Sequence, residues 1–510
     1  MPHPASVRAT AALSALVAVP STWLVAAPAG AASAPTTCDG KPVTIVATTT
    51  VTQGTEGDDV VSMEPGQWNT FDAKGGNDTV CLAAGRADIN DRDSRPPYGF
   101  LDTGTGDDRV VNLTPAGTTG IYTTVVLGPG SDSFQGAGVG EEVFADGFGG
   151  DFDVADVADP ALVGRQSDVV TDAATVHTAA PADAPNADRI TFGARGGRAV
   201  VSGPMGPQAL LDFSLASDPL LEVRSPLRLG APVSGEVVVD NRARTVTAAG
   251  ATALTWSGEV RTFVVGSPRR LVVAGPAVGF VGTDAGEAVT FADVLVGDVS
   301  LGGGDDSLGV QSWNNAFIPR SADGGPGRDE ASISSVCHSV LAVRLARTAT
   351  CDGRSGTFRG FRDVVLDGSD APGAATVLVG TGRAERLVAS GHDVTIRARG
   401  GRDDVLVDDS WSARVWAGPG RDRVAVSGDD VVVQGQGGAD RLRLLGTAGL
   451  AAPDRARRQQ VSLGGRGNDV MVGTAAAADR LVGGAGRDRA DGGRGRRDQC
   501  DAEVVRRCER

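Results

Sequence analysis

The chain has 510 residues, well beyond the ~250–300 at which one hydrophobic core stops growing, so several domains or a repeat array are expected. Its formal charge of −15 argues against nucleic acid as a partner and in favour of cations. Glycine supplies 72 residues and aromatics only 4%, which suits tight turns joined by thin aliphatic strands and not long helices.

Residues 1–31 read as an export signal. Arg8 gives the positive start, Ala9 to Val19 is a short apolar run, and Ala29-Gly30-Ala31 offers small residues for cleavage. The competing reading is a membrane anchor, which Pro20 weakens by interrupting a run already short for a bilayer. A secreted, extracellular product without a transmembrane anchor is therefore expected. The six cysteines agree with an oxidising destination. Proximity pairs Cys337 with Cys351 and Cys500 with Cys508, leaving Cys38 with Cys81. Zinc is disfavoured, because no two cysteines have CxxC spacing and His177, His338 and His392 are scattered.

From residue 32 onward one short pattern recurs: glycines, an acidic residue, one residue skipped, then an aliphatic. In 32–165 it appears as Gly57-Asp58-Asp59-Val60-Val61, Gly75-Gly76-Asn77-Asp78-Thr79-Val80 and Gly104-Thr105-Gly106-Asp107-Asp108-Arg109-Val110. Insertions are expected at 88–99 and 448–459, and a linker or surface loop at the Ala/Pro-rich 171–187. Residues 166–280 keep short strands such as Val237-Val238-Val239 and Leu271-Val272-Val273 but almost no acidic glycine turns, so they read as a β-rich segment of their own kind. In 281–510 the pattern returns as Gly302-Gly303-Gly304-Asp305-Asp306-Ser307-Leu308 and Gly418-Pro419-Gly420-Arg421-Asp422-Arg423-Val424. The fullest copies are Gly464-Gly465-Arg466-Gly467-Asn468-Asp469-Val470-Met471 and Gly483-Gly484-Ala485-Gly486-Arg487-Asp488.

These last two copies match GGxGxD, and the chain resembles the RTX-type (hemolysin-type) calcium-binding nonapeptide repeat proteins. The resemblance is strongest at 380–445 and 460–500 and weakest in the middle. It implies an all-β fold, a parallel β-solenoid of the β-roll or β-helix kind with Gly/Asp-rich turns. The spacing agrees: Asp59 to Asp78, Asp132 to Asp151, and Glu287 to Asp306 are each 19 residues, and Glu385, Asp403, Asp422 and Asp440 step by 18, 19 and 18. Two nine-residue units make one revolution, so the acids should stack on one edge. At the C-terminus Asp469, Asp479, Asp488 and Asp498 step by 10, 9 and 10, so both edges are used there, and the Cys500–Cys508 loop closes the end.

The resemblance implies Ca2+ between stacked turns, held by backbone carbonyls and aspartates. The candidate ligands carried over are Asp59, Asp78, Asp108, Asp132, Asp151, Asp306, Asp329, Asp403, Asp422, Asp440, Asp469, Asp479 and Asp488. The sequence departs from the pattern where Arg402, Arg421, Arg423, Arg487 and Arg489 flank the acids, since a salt bridge could replace the ion, and where Glu287 and Glu385 stand for Asp. No HExxH, GxSxG or phosphate-loop motif is present, so the expected role is structural or interactive and not enzymatic. The partners considered are the cell wall, an extracellular matrix or a second copy. The acid pairs Asp58-Asp59, Asp107-Asp108, Asp305-Asp306 and Asp403-Asp404 keep a polysaccharide lyase or hydrolase as the enzymatic alternative, with Trp313, Trp411 and Trp416 as its only sugar platforms. A calcium-stabilised adhesin is the third reading.

Overall fold

The structure is a computed structural model. It describes residues 35–47, 51–63, 69–82, 98–115, 122–138, 140–145, 167–179, 187–202, 205–224, 236–266, 277–312, 318–335, 337–446, 459–475, 478–495 and 497–509. The chain divides into two compact units, Met1–Ser33 and Ala34–Arg510. The first unit, which includes the whole of the expected export signal, lies outside the described residues.

Every regular element among the described residues of the second unit is a β-strand, and most strands pair in parallel. Up to the long C-terminal strands, most strands pair in parallel not with their sequence neighbour but with the next strand but one. Val60–Met63 pairs with Thr79–Leu82, which pairs with Arg109–Asn112, while the strands between them, Thr70–Asp72 and Tyr98–Asp102, pair with each other. The pattern continues into 166–280, where Thr175–Ala179 pairs with Glu141–Phe144 on one side and Arg198–Ser202 on the other. That strand falls inside the stretch 171–187 expected to be a linker. Thr-Val-His-Thr is β-branched enough to join the sheet despite its Ala/Pro flanks.

Two antiparallel excursions interrupt the parallel order. One comprises Val237–Asp240, Thr245–Ala248 and Ala251–Thr255, the other Val340–Arg344, Arg347–Cys351 and Arg354–Arg359. The second is tied by the Cys337–Cys351 disulfide. Cys38–Cys81 fastens the N-terminal hairpin and Cys500–Cys508 the last strands, so all three bridges follow the pairing by proximity. In the C-terminal part the strands lengthen. Asp404–Pro419 and Arg423–Gly437 each run through a bend, with the register shifting between Val407 and Ser410.

Alternation sets the interior. In Asp404–Pro419, Val405, Val407, Ala413, Val415 and Ala417 are buried while Asp404, Asp408 and Trp411 are exposed. Where the acidic glycine turns are sparse, phenylalanines join the aliphatic interior. Phe192 stacks on Phe213 with centroids 4.9 Å apart, and Phe263 meets Phe280 edge-on at 5.0 Å. Each such ring, fully buried, contributes about 1.5–3 kcal/mol. No helix among the described residues is long and apolar enough to cross a membrane.

Candidate functional site

The recurring turn has a fixed backbone form. Counting back from the acid, the fourth and second preceding residues adopt positive φ: Gly104 and Gly106 before Asp108, Gly302 and Gly304 before Asp306, Gly465 and Gly467 before Asp469. Glycine takes this conformation without strain, which is the physical reason for the GxGxD spacing. Stacking adds a second reason. A Cβ on Gly106 would run into the carbonyl oxygen of Gly76 one turn earlier, and one on Gly467 into that of Gly438.

These turns bring the acids into columns. The backbone N–H of Asp59 donates to Oδ1 of Asp78 at 2.7 Å, that of Asp78 to Oδ1 of Asp108 at 2.7 Å, and that of Asp108 to Oδ1 of Asp132 at 2.7 Å. The column continues from Asp132 to Asp168 and from Asp168 to Asp188. A second runs Glu287, Asp306, Asp329. A third runs Glu385, Asp403, Asp422, Asp440, Asp469, Asp488 and ends on Glu503. A fourth joins Asp479 to Asp498 at 3.0 Å. The aspartates are buried because each lies two residues before an interior side chain and so faces inward with it.

Each column starts with an acid held by a threonine of its own turn. Thr55 donates its backbone N–H to Asp59, Thr283 to Glu287, Thr381 to Glu385 and Thr474 to Asp479. This accounts for Glu287 and Glu385: at the head of a column the longer side chain folds back onto the threonine, whose hydroxyl also donates to it.

Further along, the second carboxylate oxygen has no hydrogen-bond partner among the described residues. This holds for Oδ2 of Asp78, Asp108, Asp132, Asp306, Asp329, Asp403, Asp422, Asp440, Asp469, Asp488 and Asp498. An orphaned buried oxygen of this kind costs about 1–3 kcal/mol, more when charged. Burial, with the neighbouring acids adding repulsion, pushes the Asp132 carboxyl up to about 8. Asp306, Asp403 and Asp440 rise to about 7 and Asp78, Asp108 and Asp479 to about 6, burial being the main cause in each.

The doubled acids divide their work. Asp58 and Asp107, immediately before Asp59 and Asp108, face solvent. Asp58 accepts from the N–H of Asn77 at 2.8 Å, Asn77 from that of Asp107 at 2.9 Å, and Asp107 from that of Ser131 at 2.9 Å. Asp305 serves Arg328 in the same way. Each of these pairs is thus one rung of an inner and one of an outer ladder, the two pointing in opposite directions along the stack. The arginines flanking the inner acids do not neutralise them. Arg402, Arg421, Arg423, Arg487 and Arg489 are exposed, and the ion pairs among the described residues join other groups.

Most of the candidate residues therefore come together, with differences. Asp151 lies outside the described residues, and the partner of Asp132 is Asp168, not the acid 19 residues on. Asp168 and Asp188 escape the glycine motif because the sequence has no glycine two residues before either of them, yet each keeps the signal of an acid two residues before a buried Val170 or Ile190. Trp313 also lies outside the described residues, and Trp411 stacks on His392. Among the described residues no three acids, histidines or cysteines converge on one point, so any cation here would take its remaining ligands from backbone carbonyls. No family model matches this chain, and no curated protein matches it.

Proposed function

We propose that this chain is a secreted β-solenoid of the calcium-binding repeat kind, with a structural or interaction role at or outside the cell surface. The skip-one parallel pairing supports the solenoid, since a chain that returns to the same sheet every second strand winds about its own interior. The observation that carries the calcium reading is the buried, unpartnered carboxylate oxygen repeated from turn to turn. Carboxylates and the carbonyls of glycine turns are the hard oxygens calcium takes.

The residues that would hold the ions are Asp78, Asp108, Asp132, Asp306, Asp329, Asp403, Asp422, Asp440, Asp469, Asp488 and Asp498, each with an oxygen to spare. Asp479 joins them through its Oδ1, Thr474 holding only its Oδ2, whereas Asp59, whose Oδ2 Thr55 occupies, is the weaker candidate. Bound calcium would supply charge neutralisation between stacked acids. The residues themselves hold adjacent turns in register through their Oδ1 atoms. Three disulfides support an oxidising, extracellular setting.

Calorimetric titration of the chelator-treated protein with CaCl2 tests the proposal. Several ions per chain should bind, and saturation should raise the melting temperature, with about 2.7 kcal/mol expected per site at a hundredfold excess over Kd. Absence of binding heat together with an unmoved melting curve would overturn it.

A further inference from the structure

The edge that carries the third acid column has an outer side of opposite charge. Asp403, Asp422 and Asp440 face inward, and alternation turns the residues beside them outward. Arg402 and Arg421 precede two of these acids. Arg423 and Arg441 follow two, and are register partners on adjacent strands. Arg386 occupies the same row two strands earlier, and Arg443 stands two residues beyond Arg441. Asp404 is the one carboxylate between Arg386 and Arg441 in that row, and Asp363, which pairs with Arg328, borders it before Arg386. All six arginines are exposed, and none forms an ion pair among the described residues, whereas Arg109, Arg320, Arg328, Arg359 and Arg414 are each paired. Upstream, the same outer position is held by Asp58, Asn77, Asp107 and Asp305, and by Arg328, whose guanidinium is taken up by Asp363.

We propose that this arginine strip, from Arg386 to Arg443, binds an acidic polysaccharide through its carboxylates. The inference deepens the reading of the chain as an extracellular interaction scaffold and rests on it for the setting. Guanidinium forks recognise carboxylates in two-point fashion. Arg423 and Arg441 sit one strand spacing apart, roughly 4.8 Å, and Arg386 two spacings before Arg423, so successive carboxylates of an extended chain laid across the strands meet repeated guanidiniums. Single-stranded nucleic acid is the weaker fit, because it requires aromatic stacking platforms and the six positions offer none. The inward acids do not cancel the strip. Buried and facing the interior, they leave the outward potential to the guanidiniums.

The test is retention of the full chain on immobilised polygalacturonate, with dextran as the neutral control and a single-stranded oligonucleotide as competitor, first in chelator and then in calcium. Retention is expected in chelator and should fall with salt. The R402Q/R421Q/R423Q/R441Q variant should bind about tenfold more weakly or worse. A control variant with the same charge change elsewhere, R195Q/R244Q/R344Q/R347Q, should bind as the parent does. R421K/R423K/R441K, which keeps the charge but loses the fork, should be intermediate and guards against a folding failure of the neutral variant. Equal retention on dextran, an equal loss in the control variant, or preferential capture of the oligonucleotide would overturn the proposal. A chain retained in chelator whose melting ignores calcium would refute the calcium reading and leave the strip standing. A chain stabilised by calcium but not retained would do the reverse.

Discussion

The backbone N–H of Asp403 donates to Oδ1 of Asp422 at 2.8 Å, nineteen residues later, while Oδ2 of the same Asp422 is buried with no partner among the described residues. One oxygen therefore builds the stack and the other burdens it. The two roles separate by substitution. Asp422→Ala removes the acceptor and strands the Asp403 N–H, and should cost about 1–3 kcal/mol in chelator. Asp422→Asn keeps an acceptor and removes a buried charge, so in chelator it should match or exceed the parent. In calcium the order should reverse, with the Asn variant gaining less from the ion than the parent. Thermal melts of the three proteins with and without calcium read this directly. An Asn variant as responsive to calcium as the parent would remove Asp422 from the ligand set.

The same columns set a pH dependence. Burial raises the carboxyls of Asp78, Asp108 and Asp479 to about 6, of Asp306, Asp403 and Asp440 to about 7, and of Asp132 to about 8. A folded-state pKa above the unfolded value means the native state binds more protons, so this contribution is fully present below the ordinary value of 3.8 and is lost as pH rises through the folded values. Melting temperature in chelator should therefore fall from about pH 5 to pH 8. Asp298, beside Arg320, is held down to about 2 and acts in the opposite sense only at still lower pH. Calcium should flatten the slope by taking the place of the protons. A melting temperature that rises across this window in chelator would mean the carboxylates are paired in solution.

Much of this was legible in the sequence, and the limits have physical causes. Asp403, Asp422 and Asp440 stand out because a glycine holds a left-handed position two or four residues before each, at Gly401, Gly418 and Gly438, and the 18–19-residue step survives wherever the intervening strand and turn are short. Asp440 to Asp469 spans 29 residues, yet the N–H of one still reaches Oδ1 of the other at 2.9 Å, so an insertion lengthens the connection without displacing the rung. Asp168 and Asp188 are hidden because Gln166 and Asn186 stand where the motif has its second glycine, and the 36 residues from Asp132 to Asp168 break the 19-residue step. The threonines at the column heads were also illegible. A lone Thr in a turn is common, and only the stack shows which acid has no preceding carboxylate or turn to serve it.

The second antiparallel excursion offers a check on local stability. Cys337 and Cys351 are buried and lie 5.5 Å apart at Cα. The short loop they close predicts a stabilisation of about 3 kcal/mol. The hairpin has a second clasp at Asp352: against burial, which raises its carboxyl, it accepts from the Ser339 hydroxyl and from the N–H groups of Ser339, Val340 and His338, which hold it well below the usual range. Cys337→Ala with Cys351→Ala should therefore speed amide exchange in Val340–Arg359 and leave the stacked turns at Asp403–Asp440 protected. Equal loss of protection in both regions would show that the excursion and the acid columns unfold as one unit.

Two adjacent glycines separate conformational need from mere composition. Gly438 has φ +127°, and a Cβ there would overlap the carbonyl oxygen of Gly420 in the preceding turn, a backbone atom that cannot move without opening the stack. Gly437 meets nothing within 4 Å and carries no left-handed φ. Gly438→Ala should cost about 2 kcal/mol or more, through strain and through separation of the turns that aligns Asp422 N–H with Asp440 Oδ1 at 2.9 Å. Gly437→Ala should be neutral or slightly stabilising, because alanine restricts the unfolded chain more than glycine does. Urea unfolding of both variants in chelator decides between this account and one in which the glycines merely reflect a biased composition. If Gly437→Ala were as damaging as Gly438→Ala, the close stacking of the turns would have to be abandoned, and with it the alignment on which the acid columns depend.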